Sequence, residues 1–155
     1  MGAKNLMSKL IIQELNPRER TGIYVGWDSY KVAEKDALWT DGIASCISIT
    51  LYDPLSKRGA LAHISAAYFP EIPKFLYPEN VIDTLTRELH PYQGQLEATL
   101  AGEAFRLTKW ASSLIRKKLQ DSKILLVGED LGNVTIGREV HFDCNTGEVT
   151  VYRYQ

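Results

Sequence analysis

A chain of 155 residues has the length of one domain, and such a domain buries about two-thirds of its unfolded surface without a metal or disulfide staple. Hydrophobic residues make up 45% and charged residues 24%, a globular mix that excludes disorder, collagen and coiled coil. Eighteen basic residues against nineteen acidic ones leave a formal charge of −1, so no concentrated basic field exists to grip nucleic acid or an anionic membrane. Arg116–Lys117–Lys118 is the one basic run, and it reads as the solvated end of a helix. No stretch approaches the ~18 uninterrupted apolar residues of a spanning helix. Two cysteines, Cys46 and Cys144, allow at most one bridge and fit a reducing compartment. A cytoplasmic protein without membrane insertion is expected.

In chain order, residues 1–20 read as a tail or an appended helix ended by Asn16–Pro17, and residues 21–155 as the domain proper. Short β runs follow at Ile23–Gly26, Tyr30–Ala33 and Ala37–Thr40, separated by Gly or Asp. Ile47, Ile49 and Leu51 alternate with Ser48, Thr50 and Tyr52, a strand with one apolar face. Asp53–Pro54 and Gly59 bracket a turn, so 43–66 is expected to be a hairpin. Three prolines make 67–78 a loop. Val81, Ile82, Leu85 and Leu89 then share a helix face, and His90–Pro91 ends it. Residues 95–104 are ambiguous between helix and strand. Leu107, Trp110, Ala111 and Leu114 mark the apolar face of a second helix, and Ile124–Val127 a buried strand. At the C-terminus Val140 and Phe142 are expected to face Val149 and Val151 across a turn at Asn145–Gly147. The order predicts an α+β fold with a mainly antiparallel sheet and two amphipathic helices.

Cys46 heads a strand, directly after the small-residue stretch Asp41–Gly42–Ile43–Ala44–Ser45, where backbone N–H groups can approach a ligand closely. His63 lies on the returning strand of the same hairpin. A cysteine and a histidine within reach do nucleophilic chemistry, because the imidazole generates or stabilises the reactive thiolate. Two other readings stand beside this one. A free cysteine often only packs, and a histidine in Leu61–Ala62–His63–Ile64 is commonly a satisfied core residue. Cys46, His63, His141 and Cys144 could also gather into a zinc site, although no paired-ligand cassette is present. Residues 132–137 lack the Lys–Ser/Thr of a phosphate loop and read as a turn.

Trp39–Thr40–Asp41–Gly42–Ile43–Ala44–Ser45–Cys46, then Leu51–Tyr52–Asp53–Pro54, then Gly59–Ala60–Leu61–Ala62–His63, resembles the CheD family of chemoreceptor glutamine deamidases. Tyr24–Val25–Gly26 and Tyr30–Ala33 resemble that family's opening strands. Asp130–Leu131–Gly132–Asn133, Gly137–Val140 and Phe142…Val149 resemble its closing hairpin, so the likeness spans about residues 21–153. It implies a compact α/β sandwich shared with the cytotoxic necrotizing factor toxins. It also implies Cys46 as nucleophile, His63 as general base and acid, and Thr40 as the third catalytic member, with no cofactor. The chain departs from the family at Ile43–Ala44, Ala60 and Asn133. After the histidine, Ser65–Ala66–Ala67–Tyr68–Phe69–Pro70 stands where the family has Leu-Pro. Those changes touch the rim rather than the catalytic set.

The implied reaction converts glutamine side chains of chemoreceptor proteins to glutamate, in chemotaxis adaptation. Backbone N–H groups around Ala44, Ser45 and Cys46 are the expected oxyanion donors, and Thr40 would orient His63. An ion pair with His63 would draw the Cys46 thiol into the ~3.5–7.5 range. A rival reading is a non-catalytic module of the same fold that docks a CheC-type phosphatase, a partner the resemblance also implies.

Overall fold

The computed structural model describes residues 8–14, 17, 19–89, 94–103, 109–132 and 137–154. Strands come first: β1 (Lys9–Gln13), β2 (Ile23–Tyr24), β3 (Ser29–Glu34), β4 (Ala37–Ile43), β5 (Ile47–Asp53) and β6 (Arg58–Ile64). A 3₁₀ turn at Lys74–Leu76 leads to α1 (Val81–Leu89), and β7 (Glu97–Gly102) and α2 (Lys109–Asp121) follow. The chain closes with β8 (Leu125–Leu131), β9 (Gly137–Asp143) and β10 (Glu148–Tyr154). The ambiguous stretch 95–104 therefore resolves as strand over Glu97–Gly102. The expected helix end at His90–Pro91, and Leu107 of the second helix, lie outside the described residues.

These strands form two five-stranded sheets rather than one. An outer sheet runs β1-β10-β9-β4-β2, and a middle sheet runs β3-β6-β5-β7-β8. Pairing is mostly antiparallel, with parallel contacts at β1/β10, β2/β4 and β7/β8. The last of these is joined through α2, as a parallel neighbour requires a crossover. Both helices cover the far face of the middle sheet, giving three layers.

Burial follows from that layering. Ile47, Ile49, Leu51, Ala60, Ala62 and Ile64 point to the helices, where Val81, Ile82, Leu85 and Leu89 of α1 meet them. The polar residues that alternate with them do not reach solvent. Ser48, Thr50 and His63 are buried against the outer sheet, beside Leu38, Leu61, Val140 and Phe142. The closing hairpin has the expected register, Phe142 opposite Val149 and Val140 opposite Val151.

Three expectations need correction. Residues 9–13 are neither tail nor helix: they add β1 alongside β10, with Leu10 packed on the inter-sheet core. The 124–127 strand is an edge strand, so Leu125 is 40% exposed and only Ile124 is deeply covered. In α2 the buried stripe is Ala111, Ile115 and Leu119, while Trp110 and Leu114, assigned to the apolar face, are each 38% exposed. A helix rotates to bury the residues its sheet can accept, and alanine at position 111 permits the closer approach.

Candidate active site

The site lies at one end of the sandwich, where β5 and β3 begin and β4, β6 and β7 end. In the middle sheet Ile47 pairs with Ile64 and Ser48 with His63. Extending that register by one residue sets Cys46 opposite Ser65, and makes His63 its diagonal neighbour on the same face. Diagonal neighbours across an antiparallel pair lie within reach of long side chains. Thr40 comes from the other sheet. It projects from β4 into the inter-sheet space, so the three side chains are assembled only when the two sheets pack.

Thr40 is fully buried. Its hydroxyl donates to the Val25 carbonyl at 2.7 Å and lies 2.8 Å from His63 Nδ1. A threonine has one hydroxyl proton. Given to Val25, it leaves only lone pairs for His63, so the proton on the imidazole sits at Nδ1. Nε2 is then the lone-pair nitrogen, and it has no hydrogen-bond partner among the described residues. An unmet acceptor in a buried site costs about 1–3 kcal/mol.

Electrostatics set the resting protonation. Burial drives the His63 imidazole down to about 4, with Asp28 and Asp41 pulling weakly the other way. Burial also raises the Cys46 thiol, and the Asp28 carboxylate adds to the rise, while the Ser65 hydroxyl and the cysteine's own N–H oppose it. At neutral pH the site therefore rests as neutral thiol and neutral imidazole. The expected thiolate–imidazolium pair is not the resting state, because a buried pair with a carboxylate beside the sulfur favours the uncharged form.

Local backbone explains how the thiol is held. After Thr40 the β4–β9 register shifts, and pairing resumes at Ile43 opposite Arg138. Gly42, at φ +67°, makes that bulge possible, and a Cβ there would lie 3.3 Å from Trp27 Nε1. Residues 44–46 bend into β5 and stay partly exposed. Gly102, at φ +132°, ends β7 so close that a Cβ would lie 2.1 Å from the Cys46 carbonyl. That approach lets the Glu103 N–H donate to the same carbonyl at 2.9 Å.

Several contributors were not singled out as site residues from the sequence. Asp28, in a turn at φ +49°, accepts from the Ser65 N–H at 2.9 Å and from its hydroxyl at 2.8 Å, which ties the 26–29 turn to the residue facing Cys46. Trp27 is 66% exposed and its ring lies 6.1 Å from the His63 ring, forming one wall. Arg138, fully buried, donates to Asp130 at 2.8 Å and to the Gly102 and Gly132 carbonyls. Arg153 shares Asp130. Although burial opposes it, the two guanidiniums hold that carboxyl below its usual range.

The alternative zinc set is not brought together. Cys144 is buried at the opposite end of the sandwich, against Gly59 and Phe142. His141 points from the outer face of the outer sheet to Glu139 at 2.5 Å.

A partly exposed thiol at the same end of the sandwich as a hydroxyl-braced imidazole is an arrangement that can do nucleophilic chemistry. Comparison with known proteins narrows the class. The chain is 31% identical over 144 residues to a probable chemoreceptor glutamine deamidase CheD of Archaeoglobus fulgidus, covering 83% of this chain and 91% of that one. It is 30% identical over 148 residues to a probable chemoreceptor glutamine deamidase CheD of Desulforamulus reducens, covering 83% and 89%. The chemoreceptor glutamine deamidase CheD of Thermotoga maritima is 28% identical over 142 residues, covering 82% and 88%. No family model matches. The chain belongs to the CheD family of chemoreceptor glutamine deamidases.

Proposed function

We propose that this chain is a protein-glutamine deamidase that hydrolyses glutamine side chains of chemoreceptors to glutamate in chemotaxis. Membership of the family supports the substrate class. The observation that carries the chemistry is the unpartnered Nε2 of His63, braced at Nδ1 by Thr40, in the inter-sheet core against which Cys46 packs.

As the amide carbonyl approaches, His63 Nε2 takes the Cys46 thiol proton and sulfur bonds to the carbonyl carbon. The resulting oxyanion is held by backbone N–H groups around Ala44, Ser45 and Cys46, one such donor being worth ~10²–10³ in rate. Nε2 returns the proton to the amide nitrogen, the C–N bond breaks, and ammonia leaves. The neutral imidazole then takes a proton from water, whose oxygen attacks the thioester carbon. Collapse expels sulfur, which recovers its proton, and leaves glutamate. Thr40 keeps the imidazole in one tautomer throughout, accepting a bond that strengthens while His63 is positively charged.

The same reading places the protein in the cytoplasm and makes the sandwich the scaffold shared with the cytotoxic necrotizing factor toxins. It also keeps a CheC-type phosphatase as a second partner. Mass spectrometry of a chemoreceptor cytoplasmic fragment, incubated with wild-type chain and with Cys46→Ser, tests the activity. Conversion of glutamine to glutamate by the wild type alone is expected, and conversion by neither would overturn it.

A further inference from the structure

Exposed aromatic rings are concentrated at the end of the molecule that carries Cys46. Phe69 is 60% exposed, Tyr68 50%, Phe75 48% and Trp110 38%. Tyr77 links them: its ring meets Tyr68 edge-on at 4.9 Å and its hydroxyl donates to the Phe69 carbonyl at 3.4 Å, two residues along the chain from Phe75. Tyr68 stacks on Trp110 with ring centroids 5.2 Å apart, and Phe75 meets Tyr30, near the start of β3, edge-on at 6.2 Å. The position at the site end follows from the topology. Loop 65–73 leaves the end of β6 at Ser65, opposite Cys46, and α2 starts at the end reached by β7 because it must return to the start of β8. Phe69 follows Ser65 by four residues, so it lies within roughly 14 Å of that residue at full extension.

One feature makes the patch more than stray surface hydrophobicity. Trp110 and Leu114 occupy the face of α2 that sequence periodicity assigns to a core, yet the fold turns Ala111, Ile115 and Leu119 inward instead. The apolar stripe thereby runs on from the loop down the helix. Contiguous apolar patches on a soluble protein mark interaction sites, and aromatic side chains are the typical anchors.

We propose that Tyr68, Phe69, Phe75 and Trp110, continued by Leu114, form the docking surface for the protein that carries the target glutamine, engaging an apolar patch beside that residue. The inference rests on the deamidase reading. The site's own architecture favours this occupant. Cys46 heads the central strand of the middle sheet, flanked by β6 and β7, so no free strand edge lies beside it for an extended peptide to pair with. A glutamine must then be delivered from outside the sheet, by a surface that grips the rim while one side chain reaches the thiol. A free glutamine or a short polar peptide makes no use of the rim.

The test separates docking from chemistry. Binding of a chemoreceptor cytoplasmic fragment is measured with Cys46→Ala chains that also carry Phe69→Ser, Trp110→Ser or, as a control, Leu55→Ser. Leu55 is 69% exposed in the β5–β6 turn at the far end. Truncating an anchor ring is expected to weaken binding about tenfold, with the control unchanged. On the active background the same two ring variants should raise KM for the fragment, leave kcat near wild type, and leave iodoacetamide labelling of Cys46 unaltered. Equal binding by all variants, no binding by the parent, or equal loss in Leu55→Ser overturns the docking surface. Binding that follows the expected pattern, with no deamidation by the wild-type chain, upholds the surface and removes the deamidase reading instead.

Discussion

Burial of His63 makes stability depend on one proton. In the unfolded chain its imidazole titrates near 6.5, and in the folded protein burial lowers it to about 4. Because the folded value is depressed, the unfolded chain binds the extra proton first, and stability falls as pH drops from 6.5 towards 4. At pH 5 nearly every unfolded imidazole is charged and about one folded imidazole in ten. The group therefore costs about 2 kcal/mol of stability relative to neutral pH. His63→Gln has no such proton to take up. Urea denaturation at pH 7 and pH 5 should show the wild type losing about 2 kcal/mol more than the variant between those conditions. The depressed carboxyls Asp130 and Glu139 act elsewhere: their stabilisation is lost as pH falls below unfolded values of 3.8 and 4.5 towards still lower folded values. The same titration predicts that turnover of folded protein keeps its acid limb near pH 4 rather than 6.5. A wild type and variant with the same pH dependence of stability would refute the buried neutral imidazole, and with it the tautomer argument.

Other outcomes follow from the same geometry. Cys46→Ala should abolish turnover and stay folded, whereas Cys144→Ala should retain turnover; iodoacetamide at pH 8 should label Cys46 and spare Cys144, whose thiol burial pushes up to about 12, until the chain is unfolded. Thr40→Ala strands the Val25 carbonyl and the His63 Nδ1–H, so it should cost about 1–3 kcal/mol in thermal or urea unfolding and lower kcat far more than it raises KM. Thr40→Ser keeps the hydroxyl and should recover part of that rate. Gly102→Ala places a carbon against the Cys46 carbonyl in a left-handed backbone, and should reduce both turnover and the rate of Cys46 alkylation.

Much of the architecture was legible in local pattern. The alternation at 47–52, the Asp53–Gly59 turn and the Asn145–Gly147 turn each specify a hairpin from nearest-neighbour chemistry, and the first hairpin sets Ser48 opposite His63, two residues from Cys46. Resemblance named Thr40, but residues 40 and 63 share no hairpin, and nothing in their spacing brings them to 2.8 Å. Their contact exists because two sheets stack, a long-range event that a period-two pattern does not encode. The same stacking buries Ser48, Thr50 and His63, polar residues that alternation alone would send to solvent, and so reverses the expected sign of the thiol's shift. Residues 9–13 show the limit from the other side: five residues have too little pattern to declare a strand, and only the exposed edge of β10 makes them one. Local sequence determined which segments are strands and helices and which residues can do nucleophilic chemistry. Tertiary packing decided which of their faces are dry, and dryness sets the proton on His63.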